Sequence, residues 1–201
     1  MVESVEIKNC AFRKLYAEHG EGIVEKVLAH HAEHGGISRV LKIRHCHWAF
    51  LGIDLTHQDL TALADRFADD VEELVVACPS VEGAMEMLAA VRMERRLYIV
   101  SGSPEDELLR IVVRRGMTAY FDGVYGSPRL KEEIVETVLA HHGVTPGNTL
   151  FVGDTMTDYR AARNTGVPFV GRVAASWSNP FPSGTAVIAD MTGLVAFANA
   201  E

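Results

Sequence analysis

The hydrophobic period of this chain changes once, near residue 80, and that change limits the folds open to it. Up to that point apolar residues recur at helical spacing: Phe12, Leu15 and Tyr16, then Ile23, Val24, Val27 and Leu28, then Val40, Leu41 and Ile43, then Leu60, Leu63, Phe67, Val71 and Leu74. Gly20, the Gly35-Gly36 pair and Gly52 punctuate the pattern, and glycine suits the position just past a helix end. Ser38 and Thr56 stand as N-caps, the second with Asp59 three residues on as a variant of the capping box. Residues 5 to 78 therefore read as a small antiparallel helical unit. From residue 80 short apolar runs at 97–100, 124–125, 149–152, 168–170 and 186–188 alternate with helical stretches. That alternation predicts a parallel sheet covered by helices, because parallel strands need crossover connections that lie on the sheet faces. Ser103-Pro104-Glu105-Asp106 reads as an N-cap, a proline at the first helical position and first-turn acids, with Gly116 closing the helix. A second helix runs from Lys131 to His142 and stops at Gly143. The expected class is α/β, with a helical unit over 1–79 and a parallel-sheet core over 80–201.

Composition narrows the partners. With 48% hydrophobic residues in 201, the chain can bury a real core. The net charge is −8 and no block of clustered Lys and Arg would neutralise a run of polymer phosphates, which argues against nucleic acid. An anionic ligand would have to be small and held at a local positive spot, such as a helix N-terminus with one or two basic side chains. Cys10, Cys46 and Cys78 are few, odd in number and outside short metal-ligand spacing, as in a reducing compartment. The first residues lack a basic start followed by an apolar run, and no stretch is long enough to span a bilayer. A soluble cytoplasmic protein is expected, with no membrane partner.

Ligands of open parallel sheets bind at the carboxyl ends of the strands, and three features fall there. Ser101-Gly102 follows the run 97–100, where a hydroxyl and flexible backbone amides could receive a phosphate oxygen. Gly153-Asp154 follows the run 149–152, and Asp158 lies four residues on. At a helix start that spacing can bring two carboxylates to one side, a hard-oxygen environment suited to magnesium sharing ligands with phosphate. Lys131 opens its helix and could supply a fixed positive charge, the kind of group on which phosphoryl transfer depends. Taken singly, a Ser after a strand or a Lys on a helix is usually just a cap or a solvated side chain.

Taken in order, these runs resemble a known family. Leu97-Tyr98-Ile99-Val100-Ser101-Gly102, Tyr125-Gly126-Ser127-Pro128-Arg129-Leu130-Lys131 and Leu150-Phe151-Val152-Gly153-Asp154-Thr155-Met156-Thr157-Asp158 look like motifs two, three and four of haloacid-dehalogenase-type phosphatases. The helical segment then looks like the cap that these enzymes insert after their first strand. The resemblance implies a Rossmann-like core with an α-helical cap and hydrolysis of a small phosphorylated metabolite. It also implies a Mg2+ cofactor held by Asp154 and Asp158, with phosphate bound by Ser101, Gly102 and Lys131. A homo-oligomer is compatible with this reading. One departure follows: the family's first motif, an apolar strand ending in Asp-x-Asp, has no counterpart, and residues 2–8 look like the stretch that comes just after it. The first core strand is thus expected to be missing. As substitutes for its nucleophile, Asp122, Asp54 and Glu3 are poorly placed. A start site assigned too late, a shortened chain and a natural pseudoenzyme would all produce this pattern. Little or no turnover is expected, and the alternative reading is a non-catalytic phosphate-ligand-binding or interaction module. Residues 1–8, a neighbouring molecule or closure of the flanking strands would have to fill the central position.

Two further signals sit in the helical segment. His34-Gly35-Gly36-Ile37-Ser38-Arg39 with Lys42 resembles the cap turn facing substrate, and Arg39 and Lys42, three apart, could point at one anionic group; otherwise they are solvated residues beside a helix–helix turn. His30 and His34, with His45 and His47, invite a transition-metal reading but lack a supporting Cys or acid pattern. They are expected on the helix surface, titrating near pH 6.5.

Overall fold

The computed structural model describes residues 1–194. Its first part is the helical unit: α1 (Val5–Tyr16), α2 (Glu21–Glu33), α3 (Arg39–Cys46), a π-helical turn at His47–Leu51, and α4 (His57–Ala77). The apolar stripes read from the sequence face one another. α1 buries Phe12, Leu15 and Tyr16, α4 buries Leu60, Phe67, Val71 and Val75, and Val24, Val27 and Ile43 complete the cluster. Thr56 begins α4, its hydroxyl oxygen accepting the Asp59 N–H at 3.2 Å. Ser38 precedes α3 but makes no capping hydrogen bond. Tyr16 is fully buried, so its hydroxyl needs a partner, and it finds His47 Nδ1 at 2.8 Å.

The second part alternates as predicted: α5 (Ala84–Val91), β1 (Tyr98–Pro104), α6 (Glu105–Arg114), β2 (Gly123–Ser127), α7 (Lys131–His142), β3 (Phe151–Gly153), α8 (Met156–Thr165), β4 (Phe169–Arg172) and β5 (Val187–Ile188). Gly116 and Gly143 lie in the left-handed region just past α6 and α7. α6 starts one residue later than predicted because Pro104 is still extended and lies opposite Ser127 of β2.

All pairings are parallel, but they form two pieces, β1 with β2 and β3 with β4 and β5. Among the described residues nothing joins β1 to β3. Residues 1–8 do not build a strand between them, and the flanking strands do not close up. Val2 makes an isolated antiparallel bridge to Ser80, and Val81 donates its N–H to the Met1 carbonyl at 2.9 Å. Met1 packs against the cluster of Val81, Ala84, Met191 and Leu194, which Leu150 and Val152 also join, and against the cluster of Leu88, Val112 and Met117, which Leu97 and Ile99 join. A cavity of about 2030 Å³ runs from this divide to the helical unit, lined by Ile99 and Val100 of β1 and by Phe151 and Val152 of β3.

Candidate functional site

The end of β1 is irregular in a way that exposes its polar residues. β1 advances from Val100 to Pro104 while β2 advances only from Tyr125 to Ser127, so Ser101, Gly102 and Ser103 bulge out of the ladder. The Ser101 hydroxyl accepts the Ser103 N–H at 3.1 Å, which orients it at the cavity wall. Glu105, the first residue of α6, ties down the loop ahead of Lys131. Its Oε2 accepts the Gly126 N–H at 3.0 Å and an Arg129 Nη2 hydrogen at 2.8 Å.

Lys131 begins α7 and is 9% exposed. Its Nζ donates to Asp158 Oδ1 at 2.5 Å. Asp158 is the third residue of α8, and its other oxygen closes a capping box, accepting the Thr155 hydroxyl at 2.5 Å and the Thr155 N–H at 3.1 Å. Both carboxylate oxygens are therefore engaged within the chain. Gly153 permits this approach, since a Cβ there would overlap the Asp158 side chain. Asp154, by contrast, is exposed at the end of β3, lines the same cavity, and has no hydrogen bond or ion pair among the described residues.

The turn after α2 presses onto this site. Thr157 donates its hydroxyl to the Gly35 carbonyl at 2.8 Å. Gly36 has φ +77°, and a Cβ on it would run into Thr157 and the Lys131 ammonium, while a Cβ on Gly102 would run into the Gly36 carbonyl. The glycine pair and Gly102 thus allow a backbone-on-backbone approach no other residue would fit.

Arg39 and Lys42 follow the turn, but each has its own partner. Arg39 is 7% exposed, pairs with Glu107 of α6 and lies over the Phe67 ring at 4.8 Å, while its Nε and Nη1 have no partner. Lys42 is 3% exposed and donates to His31 Nδ1 at 2.8 Å. Burial, helped by the charge of Lys8, pulls its pKa down to about 7. Burial also pushes His31 down to about 3 and, with its neighbours His34 and His45, His30 to about 4. These two histidines are therefore neutral at pH 6.5, and the expected charge change there does not come from them. His30 stacks between His34 and His45 with ring centres 4.1 and 4.2 Å apart. Among the described residues no group of three or more His, Cys, Asp or Glu could hold a metal ion.

Three functional candidates escaped the sequence reading. Lys8 lines the cavity from α1. It precedes Phe12 and Leu15 at helical spacing, and a cation on that apolar stripe was the available signal. Glu107 sits among first-turn acids and gave none. Arg172 makes a two-pronged pair with Glu3, at 2.5 and 3.2 Å, and lies over Trp177 at 5.0 Å. Of the acids weighed as a replacement nucleophile, Glu3 is taken by Arg172, and Asp122 Oδ2 accepts the Leu97 N–H at 2.9 Å and an Arg92 hydrogen at 3.2 Å. Asp54 is exposed beside Trp48 and His45, on the helical unit.

A buried lysine held by an acid, a bulged Ser-Gly and a free carboxylate, all at strand ends, can receive a phosphate group and a divalent ion. Over 122 residues the chain is 28% identical to phosphoglycolate phosphatase of Pseudomonas putida, an alignment covering 58% of this chain and 44% of that protein. The chain thus spans about half the length of the curated relatives it matches. A predicted phosphoglycolate phosphatase from Haemophilus somnus superimposes with a TM-score of 0.75 at 16% identity, covering 99% of this chain and 93% of that one. A magnesium-bound HAD-type protein of Bacillus subtilis does so with a TM-score of 0.72 at 15% identity, covering 98% and 93%. These structural likenesses establish the fold. The profile of the haloacid dehalogenase-like hydrolases matches residues 12–172, and with Ser101, Lys131, Asp154 and Asp158 all inside that span, the chain belongs to this family.

Proposed function

We propose that this protein acts on small phosphate monoesters, with Ser101, Gly102 and Lys131 receiving the phosphate group at the strand ends. The observation that carries this is the Lys131–Asp158 pair, a buried ammonium fixed by a carboxylate and a capping box beneath Gly36. A charge pre-positioned in this way costs no reorganisation when phosphate arrives.

Mg2+ fits the donor set, because it keeps most of its waters and takes one or two carboxylates together with substrate phosphate. Asp154 would hold it. Asp158, with both oxygens engaged, holds Lys131 and the start of α8. Such an ion would offset charge developing on the phosphoryl oxygens. We assign the helical unit, residues 1–79, to a cap over a core of residues 80–201, with Gly36, Arg39 and Lys42 facing the ligand. A reducing, cytoplasmic setting suits the three free thiols.

Within the described residues Glu3 and Asp122 are tied in structural pairs, and this favours a second reading, a protein that binds phosphate esters without hydrolysing them. The two readings separate in one assay. Magnesium-dependent hydrolysis of a generic phosphomonoester is compared between this chain and the same chain with an apolar Asp-x-Asp-Gly strand fused before Val2. Activity in the extended form alone supports a phosphatase that needs that strand, since a covalent route requires a nucleophile. Inactivity of both folded proteins, with ester binding retained, supports the binding module.

A further inference from the structure

α3 has two faces, and the fold uses only one of them. Arg39, Lys42, Ile43 and Cys46, with His47 just beyond, are buried on the inner side. Leu41, Arg44, His45 and Trp48 follow the i, i+3, i+4, i+7 spacing of a single stripe, and all four are exposed. Trp48 is 65% exposed and Leu41 52%, so the two ends of the stripe offer an aromatic and an aliphatic surface that the chain does not cover. The π-helical turn folds the next residues back beside it. Gly52 has φ +70°, and Ile53, itself 44% exposed, donates its N–H to the His47 carbonyl at 3.0 Å. Leu41, Arg44, His45, Trp48 and Asp54 thus line one open cleft of about 380 Å³. His45 stacks on His30 with ring centres 4.2 Å apart, which gives the stripe a fixed support. Isolated apolar residues on a surface are ordinary, but these are contiguous and framed by charge. Arg44 and Asp54 carry opposite signs on the same cleft, and neither has an ion pair or side-chain hydrogen bond among the described residues.

We infer that the outer stripe of α3 is an interaction surface for a second copy of this chain, with the two α3 helices packed antiparallel about a two-fold axis. A two-fold axis sets the same patch against itself, so the patch must be self-complementary. This one is, in both shape and charge. Antiparallel packing brings Leu41 at one end of the stripe against Trp48 of the other copy, and Arg44 of each copy toward Asp54 of the other. A surface made for an acidic or a basic partner would carry one sign of charge, whereas one cation and one anion flanking apolar residues match a copy of themselves. Trp and Arg are also the residues that most often anchor interfaces. Leu41, Trp48 and Ile53 expose on the order of 300 Å² per copy, so the pairing lies below the ~1,200 Å² of a standard interface and is weak and reversible. Arg39 and Lys42 leave α3 from its other side and line the large cavity, so pairing keeps that cavity open.

The test is sedimentation velocity of the full chain from about 5 to about 500 μM, a range that brackets a dissociation constant on the order of 100 μM. The weight-average mass should rise with concentration from the 22.0 kDa of one chain toward twice that value. W48A should weaken association at least tenfold, as loss of a central aromatic anchor does. The charge pair is read by exchange. R44D and D54R alone each set like charges against one another across the axis and should weaken association about fivefold or more. An equimolar mixture of R44D and D54R restores both opposite-charge pairs, but only between different chains, and should associate within about threefold of the parent. Rescue on mixing cannot come from repair within one chain, and recovery of association shows that both variants are folded; a thermal melt serves the same purpose for W48A. A parent chain that stays monomeric over the whole range would overturn the assignment. So would a dimer unaffected by W48A, single charge variants that associate like the parent, or a mixture no better than its components.

Discussion

Asp158 joins two duties that usually belong to separate residues: it caps α8 through Thr155 and neutralises the buried Lys131. Removing it leaves an unpaired ammonium inside the protein and a frayed helix start. D158A is expected to lose about 3–5 kcal/mol of stability in urea unfolding, the range for breaking one side of a buried pair. Lys42 has the opposite character, a buried cation with no acid to hold its charge. Its pKa near 7 when folded lies below the 10.5 of an unconstrained lysine, so between those values the unfolded chain binds more protons. Stability should then rise with pH from 7 toward 10.5, by up to roughly 4 kcal/mol from this group, and be insensitive to it below 7. Urea midpoints at pH 7 and pH 9.5 check this, and in K42M the rise should flatten with the pH 7 value increased.

At the scale of elements, the turn between α2 and α3 decides how closely the helical unit sits on the core. Gly36 combines a left-handed backbone with contacts to Thr157 and Lys131 that leave no room for a side chain. G36A should cost more than about 1 kcal/mol from conformation alone, and weaken phosphate binding, because any relief moves the turn away from Lys131. Denaturation and phosphate titration of the same variant read the two effects. T157V removes one hydroxyl bond to the Gly35 carbonyl and should cost about 1 kcal/mol. T56A, far from the site at the start of α4, should cost about 0.5–2 kcal/mol through its cap and leave phosphate affinity unchanged.

At the scale of the whole molecule, the sheet is divided. β1 and β3 each pair on one side only among the described residues, and Met1 packs against two apolar clusters, one joined by Leu150 and Val152 and the other by Leu97 and Ile99. An extended apolar segment laid parallel between them would gain ladder hydrogen bonds worth about 1 kcal/mol each, with apolar burial in addition. The chain as described is expected to bind a hydrophobic dye such as ANS, and the strand-fused form to bind less and melt at least several degrees higher. Equal dye binding and equal melting temperatures would mean that the fused strand does not enter the divide.

What the sequence by itself determined is what local chemistry dictates. The switch from period 3.6 to alternating runs placed α1 to α4 before β1 to β5, Gly116 and Gly143 closed their helices, and Thr56 capped α4, since each depends on a few adjacent residues. The order of Ser101, Lys131, Asp154 and Asp158 was legible too, because Ser101 lies in the bulged end of a strand, Asp154 follows one, Lys131 opens a helix and Asp158 sits in the first turn of another, where element boundaries fix direction. Tertiary structure alone decided the partners. Asp158 is held by Lys131 and Thr155; Arg39 pairs with Glu107, 68 residues away, and Lys42 with His31. Burial also decided the charge of His30 and His31, which carry the same imidazole in every sequence but are neutral here because water is excluded from them. Spacing along a chain fixes which face a side chain leaves from, but which charge it meets depends on how distant elements pack, and no local pattern encodes that.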